Sequence, residues 1–387
     1  MFDGRTLKTK QGVLVADGYI TWVGSHARAP RIARAAHEVE GAGRTVTPGL
    51  IDGHVHLCFD GSADFAGEAL ALTHTTAVLK SVRNAARQLE AGVTTVRDLG
   101  GWRSSVCEVA TAVEQGMFPG PRILAAGQAL TITGGHGHSI GIARQVDGPD
   151  AVRKAVREEI RGGATAIKVI ATGGVLTPGI TADFTAFTPE ELEAAVDEAH
   201  SWGRGIAAHA IGAQGILQAV RAGVDSIEHG SQITTEAARL MKESGTFHVA
   251  TICAIRGIVD HPDEVPAYAW EKGNALAAEQ RDAFRRGVRA GVRHALGTDA
   301  GTPFNPHGNA PRELVHMVEW GLTPLKAMQA ATSEAAALLR LPDLGTVETG
   351  KVADLVVYEG DPVEEVERIL EPTMVMKAGE VVAGTLL

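Results

Sequence analysis

Thr47-Pro48-Gly49-Leu50-Ile51-Asp52-Gly53-His54-Val55-His56-Leu57 is the stretch on which the reading of the fold turns. Leu50 to Leu57 reads as a buried strand. Side chains alternate along a strand, so His54 and His56 share one face, about 6–7 Å apart. Two imidazoles so placed both reach one cation, yet a His-x-His pair alone is weak. The chain on either side gives it weight. Similar short apolar runs recur at Thr94–Leu99, Arg122–Ala126, Ala166–Ile170, Ile206–His209, Ser226–His229, Phe247–Thr251 and Ala295–Thr298, with amphipathic stretches between them. One helix opens at Pro189-Glu190-Glu191-Leu192, with Thr188 as its cap and Pro189 in the first helical position. Eight βα units in a row predict an α/β fold, a distorted TIM (β/α)8 barrel, over a doubly wound sheet. His54 and His56 then point inward at the catalytic end.

The two ends of the chain have a different texture. Val13 to Ala16, Asp17-Gly18 and Tyr19 to Val23 predict a hairpin, because Asp-Gly suits a primed turn. Near the C-terminus, Asp354 to Tyr358 reads as a strand, and Met374–Lys377 and Glu380–Val382 flank Ala378-Gly379. These pieces predict a small β-sandwich formed by both termini. The expected division is 1–46 plus 346–387 for the sandwich and 47–345 for the barrel. No solenoid repeat or low-complexity linker interrupts it.

Composition narrows the function classes. With 387 residues, 44% hydrophobic, the chain can build a large core. The net charge is −10, and the one basic gathering, Arg153, Lys154, Arg157 and Arg161, is interleaved with Glu158 and Glu159. That is a solvated helix face, so no nucleic-acid partner is expected. Cys58, Cys107 and Cys253 match neither a disulfide framework nor a zinc ribbon, and suit a reducing compartment. The start, Met1-Phe2-Asp3-Gly4, lacks a signal-peptide apolar run, and no stretch of about 18 apolar residues predicts a membrane span. The expected setting is cytoplasmic.

The remaining candidates lie where barrel strands end. Lys168 sits inside Ala166-Ile167-Lys168-Val169-Ile170, where burial disfavours the ammonium. A neutral amine there can take up CO₂, giving a carbamate that bridges two cations; the bland alternative is a snorkelling lysine. His209 and His229 close the fifth and sixth strands, and Asp299 follows the eighth. Each has an ordinary reading, a core histidine or a helix cap, but together they suit a metal centre. Thr133-Gly134-Gly135-His136-Gly137-His138 follows the third strand as a loop over the site and lacks the P-loop Lys-Ser/Thr. Arg97-Asp98 reads as a structural ion pair or as pocket lining. Asn305, His307 and Asn309 are further candidate substrate contacts, and Trp102 and Phe184 candidate loop walls.

Taken together, these motifs resemble the amidohydrolase superfamily, in the branch holding imidazolonepropionase-like proteins and prolidase-like dipeptidases. The resemblance covers nearly the whole chain. It rests on Pro48–Leu57, Lys168 with Gly173-Gly174-Val175, Ala208-His209-Ala210, Ile227-Glu228-His229-Gly230, Gly297-Thr298-Asp299-Ala300-Gly301 and the tail Gly350-Lys351-Val352-Ala353-Asp354-Leu355-Val356. It implies two divalent metal ions, usually zinc. His54, His56 and Asp299 would hold the first and His209 and His229 the second, with N6-carboxylysine at Lys168 bridging both. It further implies attack by a metal-bridging hydroxide on a small-molecule amide, a dipeptide or N-acyl amino acid. Asp299 would serve as general base then acid, and His136 and His138 would contact the substrate.

One position departs from the pattern. Prolidase-like members tend to carry tyrosine two residues after the fifth-strand histidine, where this chain has Ile211. The missing phenol weakens the case for proline dipeptides. Hydrolysis of a cyclic amide, lactone, ester or carbamate stays open as the alternative. A deaminase is disfavoured, since Ala210-Ile211-Gly212-Ala213-Gln214 lacks the glutamate motif such enzymes carry. A metal-free assembly barrel is disfavoured because all six ligand positions are filled. A homo-oligomer is left open.

Overall fold

The structure, a computed structural model, describes residues 1–30 and 37–384. Residues 31–36 and 385–387 of the expected terminal region lie outside it. The predicted hairpin forms from β1 (Gln11–Ala16) and β2 (Tyr19–Ser25), paired antiparallel. Asp17 and Gly18 take φ of 52° and 84°, the left-handed pair of a primed turn. β3 (Arg44–Pro48) follows, and Gly49 passes the chain into the barrel. A Cβ at Gly49 would stand 2.2 Å from Thr94 Oγ1, so the close approach there requires glycine.

The barrel is assembled from two parallel arcs. β4 (Leu50–Val55), β5 (Val93–Asp98) and β6 (Arg122–Ala125) form the first. The second comprises β7 (Ala129–Thr131), β8 (Ala143–Gln145), β9 (Ala166–Ile170), β10 (Gly205–Ala210), β11 (Ser226–His229) and β12 (Phe247–Val249). Its order is β12-β11-β10-β9-β7-β8. At one seam the Thr165 amide donates to the Ala125 carbonyl at 2.8 Å.

At the other seam the expectation needs correction. Ala295–Thr298 is extended but is not a regular strand. It closes the ring through isolated parallel bridges, His248 with His294 and Val55 with Ala300. Its amides have other partners: Leu296 donates to the Ala330 carbonyl at 2.9 Å and Thr298 to Asp52 Oδ1 at 3.0 Å. Asp299 then turns left-handed, φ 59°. A second correction concerns β7 and β8, two short strands where the sequence predicts only a loop.

Amphipathic helices cover the outside. The helix Pro189–Ser201 starts at Thr188 as expected, and Glu191 completes a capping box by accepting the Thr188 amide at 2.8 Å. Ile167, Ile206 and Ile227, on β9, β10 and β11, are fully buried with Val152, Val156 and Ala199 from the helices. Each buried isoleucine contributes about 1.5–3 kcal/mol. Among the described residues no helix is long and apolar enough to cross a membrane.

β13 (Leu355–Glu359), β14 (Pro372–Lys377) and β15 (Glu380–Gly384) join β3 in an antiparallel sheet ordered β15-β14-β13-β3. Ala378 and Gly379, with φ of 48° and 82°, make a second primed turn. Ile20, Val347, Ala353 and Leu355 form an apolar cluster, against which Val13, Val23 and Met376 pack.

Candidate active site

A cavity of about 100 Å³ opens at the C-terminal ends of the barrel strands, and His54, His56, His136, Lys168, His209, His229 and Asp299 all line it. Strand geometry delivers the first pair. The inward face of β4 carries His54, and His56 follows just beyond its end; their ring centroids are 5.4 Å apart. Asp299 Oδ1 lies 3.2 Å from His54 Nε2 and 3.1 Å from His56 Nε2. Ligand atoms of these three residues all fall within 4.8 Å of one another, so they can hold one cation. The two imidazoles drive the Asp299 carboxyl well below its usual range, against a large opposing effect of burial.

The outer nitrogens of the pair are tied. His54 Nδ1 faces Glu228 Oε2 at 2.9 Å, and His56 Nδ1 faces the Gly100 carbonyl at 2.9 Å. Acceptors there keep a proton on Nδ1, so Nε2 is the nitrogen each ring would turn to a cation. Glu228 is fully buried and also takes Arg97 Nη2 at 3.0 Å and Ser226 Oγ at 2.5 Å. Despite burial, Arg97 first and then His54 hold its carboxyl far below the ordinary glutamate range. Asp52, buried beneath the site, accepts the Thr298 amide and hydroxyl and the His54 amide. Desolvation pushes its carboxyl up to about 6.

On the opposite wall, the His209 and His229 rings stand 4.5 Å apart, and His229 is 5.4 Å from His54. His209 Nε2 meets the Gly173 carbonyl at 2.8 Å, and His229 Nδ1 meets Thr251 Oγ1 at 2.8 Å. Burial keeps both rings neutral, with His229 pushed down to about 3. Lys168 Nζ lies 3.4 Å from His54 Nε2. Burial lowers its ammonium to about 8, while Glu228 and Asp299 pull the other way.

Sequence expectation and structure part company at several residues. His136 lines the cavity, its ring 4.7 Å from that of His209, and burial lowers its pKa to about 4. His138, expected beside it, is exposed and outside the lining, with Nδ1 2.8 Å from the Gly135 carbonyl. Gly137 between them, at φ 80°, sends the two side chains apart. Arg97 and Asp98 do not pair, because neighbours on a strand face opposite ways. Arg97 reaches Glu228, while Asp98 accepts the Leu57 and Gly100 amides. Asn305, His307 and Asn309 tie their own loop: Asn305 donates to the Thr298 carbonyl, His307 Nε2 to Phe59 O, and Asn309 to Asn305 Oδ1. Neither Trp102 nor Phe184 lines the cavity; Trp102 packs on the Phe59–Phe65 cluster and Phe184 is exposed.

Sequence reasoning missed the role of Glu228 and most of the apolar walls, which include Phe65, Ile142, Leu176 and Leu276 beside Ile211. Glu228 stands inside the quoted Ile227-Glu228-His229-Gly230 motif. An acid in a buried apolar strand was the available signal.

The chain is similar to known proteins along nearly its whole length. The amidohydrolase family profile matches residues 45–382. Ochratoxinase of Aspergillus niger is 34% identical over 419 aligned positions, covering 99% of this chain and 84% of that protein. Imidazolonepropionase of Sphingopyxis alaskensis is 30% identical, covering 92% of this chain and 89% of that one. The crystal structure of a Xaa-Pro dipeptidase with bound methionine superposes with a TM-score of 0.90 at 33% identity, over 98% of this chain and 97% of that one.

Proposed function

Because the chain belongs to the amidohydrolase family and is a hydrolase acting on carbon–nitrogen bonds, we propose that it cleaves the amide of a dipeptide or N-acyl amino acid, using two divalent cations. The carrying observation is the convergence of His54 Nε2 and His56 Nε2 on one Asp299 oxygen, with His209 and His229 paired across from Lys168. Buried imidazoles with a carboxylate form a donor set that suits zinc. His54, His56 and Asp299 would hold one ion, and His209 and His229 the other.

The second pair lacks a carboxylate of its own, and Lys168 can supply one. With its pKa near 8, about a tenth of the amine is neutral at pH 7. That amine forms an N–C bond to CO₂ and releases a proton, leaving a carbamate. When bound, the two cations would lower the pKa of a water and polarise the scissile carbonyl. Asp299, held ionised by its histidine neighbours, accepts the proton of the attacking water and passes it to the leaving nitrogen. His136 stands at the cavity wall to orient the substrate carbonyl or carboxylate. We read 47–345 as the catalytic barrel, with the remainder as an accessory β domain.

A second reading has its own support. The lining, among the described residues, contains no arginine and no lysine apart from Lys168. That favours an uncharged substrate: a cyclic amide, lactone, ester or carbamate.

The test is amino-acid release from a library of dipeptides and N-acyl amino acids by zinc-loaded protein with bicarbonate. Release above a Lys168→Ala control supports the first reading. Asp299→Asn is expected to lose about 10²–10⁴-fold with metal retained; full activity in that variant refutes the assigned role. No release across the library, with turnover of neutral lactones or carbamates, selects the second.

A further inference from the structure

His136 is useful to a substrate only if its cavity-side nitrogen carries a defined proton state. Its Nδ1 lies 2.6 Å from Thr177 Oγ1, and that hydroxyl already accepts the Gly137 amide at 3.2 Å. Thr177 is 3% exposed. If His136 donated from Nδ1, the hydroxyl would accept twice and its own hydrogen would have no partner among the described residues. Burying an unpaired donor is penalised. The satisfied arrangement has the hydroxyl donating to a bare Nδ1, which puts the ring proton on Nε2.

The backbone that carries Thr177 is held from outside the loop. Lys272 Nζ donates to the carbonyls of Thr177 at 2.7 Å, Ile180 at 2.6 Å and Gly174 at 3.4 Å, so three of the ammonium's donors grip one loop. One turn earlier on the same helix, Ala267–Ala290, the Tyr268 hydroxyl donates to the Leu176 carbonyl at 3.2 Å. At the next two four-residue steps, Leu276 and Gln280 line the cavity, and Gln280 donates to the Ala250 carbonyl at 2.6 Å. Residues four apart lie on one helix face. This stripe therefore fastens the loop over the cavity to the barrel wall. At Gly174 a Cβ would stand 2.4 Å from His136 Nε2, so the loop backbone passes directly against the ring.

We propose that Thr177, anchored by Lys272, is a positioning residue that fixes His136 as the Nε2-protonated tautomer, presenting a hydrogen-bond donor to a substrate carbonyl or carboxylate. The substrate half rests on the function proposed above; the tautomer half does not. Nitrogen-15 NMR of histidine-labelled zinc protein, with His136 assigned by the His136→Gln difference, decides the tautomer without any substrate. A bare Nδ1 and protonated Nε2 are expected, and a protonated Nδ1 overturns the proposal. On an amide the wild type hydrolyses, Thr177→Val is expected to lower kcat/KM about tenfold with zinc content unchanged, and Thr177→Ser to restore it. Unchanged kinetics in Thr177→Val overturn the substrate half. Lys272→Met is expected to mix the tautomers, and a wild-type His136 spectrum in that variant overturns the anchoring role. If no amide is turned over, the failure belongs to the proposed function and the NMR result still stands.

Discussion

Glu228→Gln keeps the shape of a buried side chain and removes one charge, so its consequences can be followed atom by atom. In the native site Oε1 takes Arg97 and Ser226, and Oε2 takes His54 Nδ1. A glutamine has one acceptor oxygen. Arg97 and Ser226 are both donors and claim it, which turns the NH₂ toward His54. His54 must then accept at Nδ1 and move its proton to Nε2, the nitrogen 3.2 Å from Asp299. A protonated Nε2 cannot ligate. Loss of a partner that orients a ligand typically costs about 10–100-fold in metal affinity, or about 1.4–2.7 kcal/mol. Arg97, 2% exposed, also loses its counter-charge, and stranding a buried charge costs about 3–5 kcal/mol of fold stability. Zinc competition against a chromophoric chelator reads the first effect, and urea unfolding of metal-free protein the second. Zinc affinity within twofold of wild type, in a variant that folds, would refute the tautomer argument.

Three further outcomes are expected. Intact-mass analysis under native conditions should find a gain of one CO₂ in bicarbonate that Lys168→Ala lacks; an identical gain in that variant locates the modification elsewhere. Stability of the metal-free protein should fall as pH drops from about 6.5 toward 4. The buried rings of His248 and His307 are lowered to about 4 and that of His294 to about 3, so the unfolded chain binds the extra protons there. Each such ring contributes about 1.4 kcal/mol per pH unit. Asp52 and Glu313, raised to about 6 and about 7, oppose the trend below those values. His307→Gln should flatten the urea-midpoint profile over that interval, and an unchanged slope would exclude its share. Finally, Ile211→Tyr returns a phenol to the cavity wall. Xaa-Pro cleavage should rise relative to other dipeptides, at about 1–3 kcal/mol of overpacking beside Leu276; unchanged ratios would show that Ile211 does not set the preference.

What the sequence made legible follows from period two. His54 and His56 were readable because both sit on or beside one regular strand. Lys168 stood out as a charge within an apolar run, and His209 lies near the end of β10. Periodicity fails where the backbone leaves the strand. Along β11, alternation would place Glu228 and His229 on opposite faces, yet His229 takes φ 67° and both groups serve the site. Asp299, at φ 59°, ends the eighth segment in the same way. Left-handed backbone at non-glycine residues costs of order 1–3 kcal/mol, held in place by the surrounding structure. Such turns cannot be read from residue type. Nor can the pairing of Arg97 with Glu228, 131 residues apart. His138 was misplaced for a local reason, the positive φ at Gly137.

The sheet that joins the two ends of the chain imposes an order in time. β3 pairs with β13, and Arg44 meets Glu359 across 315 residues. At about 5–20 residues per second of synthesis, roughly 15–60 s pass before the partner of β3 exists. During that interval β3 lacks its partner strand, and β4, one residue further on, waits through most of it for Ala295–Thr298 to close the barrel. Ribosome-bound chains stalled before residue 355 should therefore expose β3 to proteolysis, while chains released at full length protect it. Pairing of β3 thus waits on the last strands of the chain.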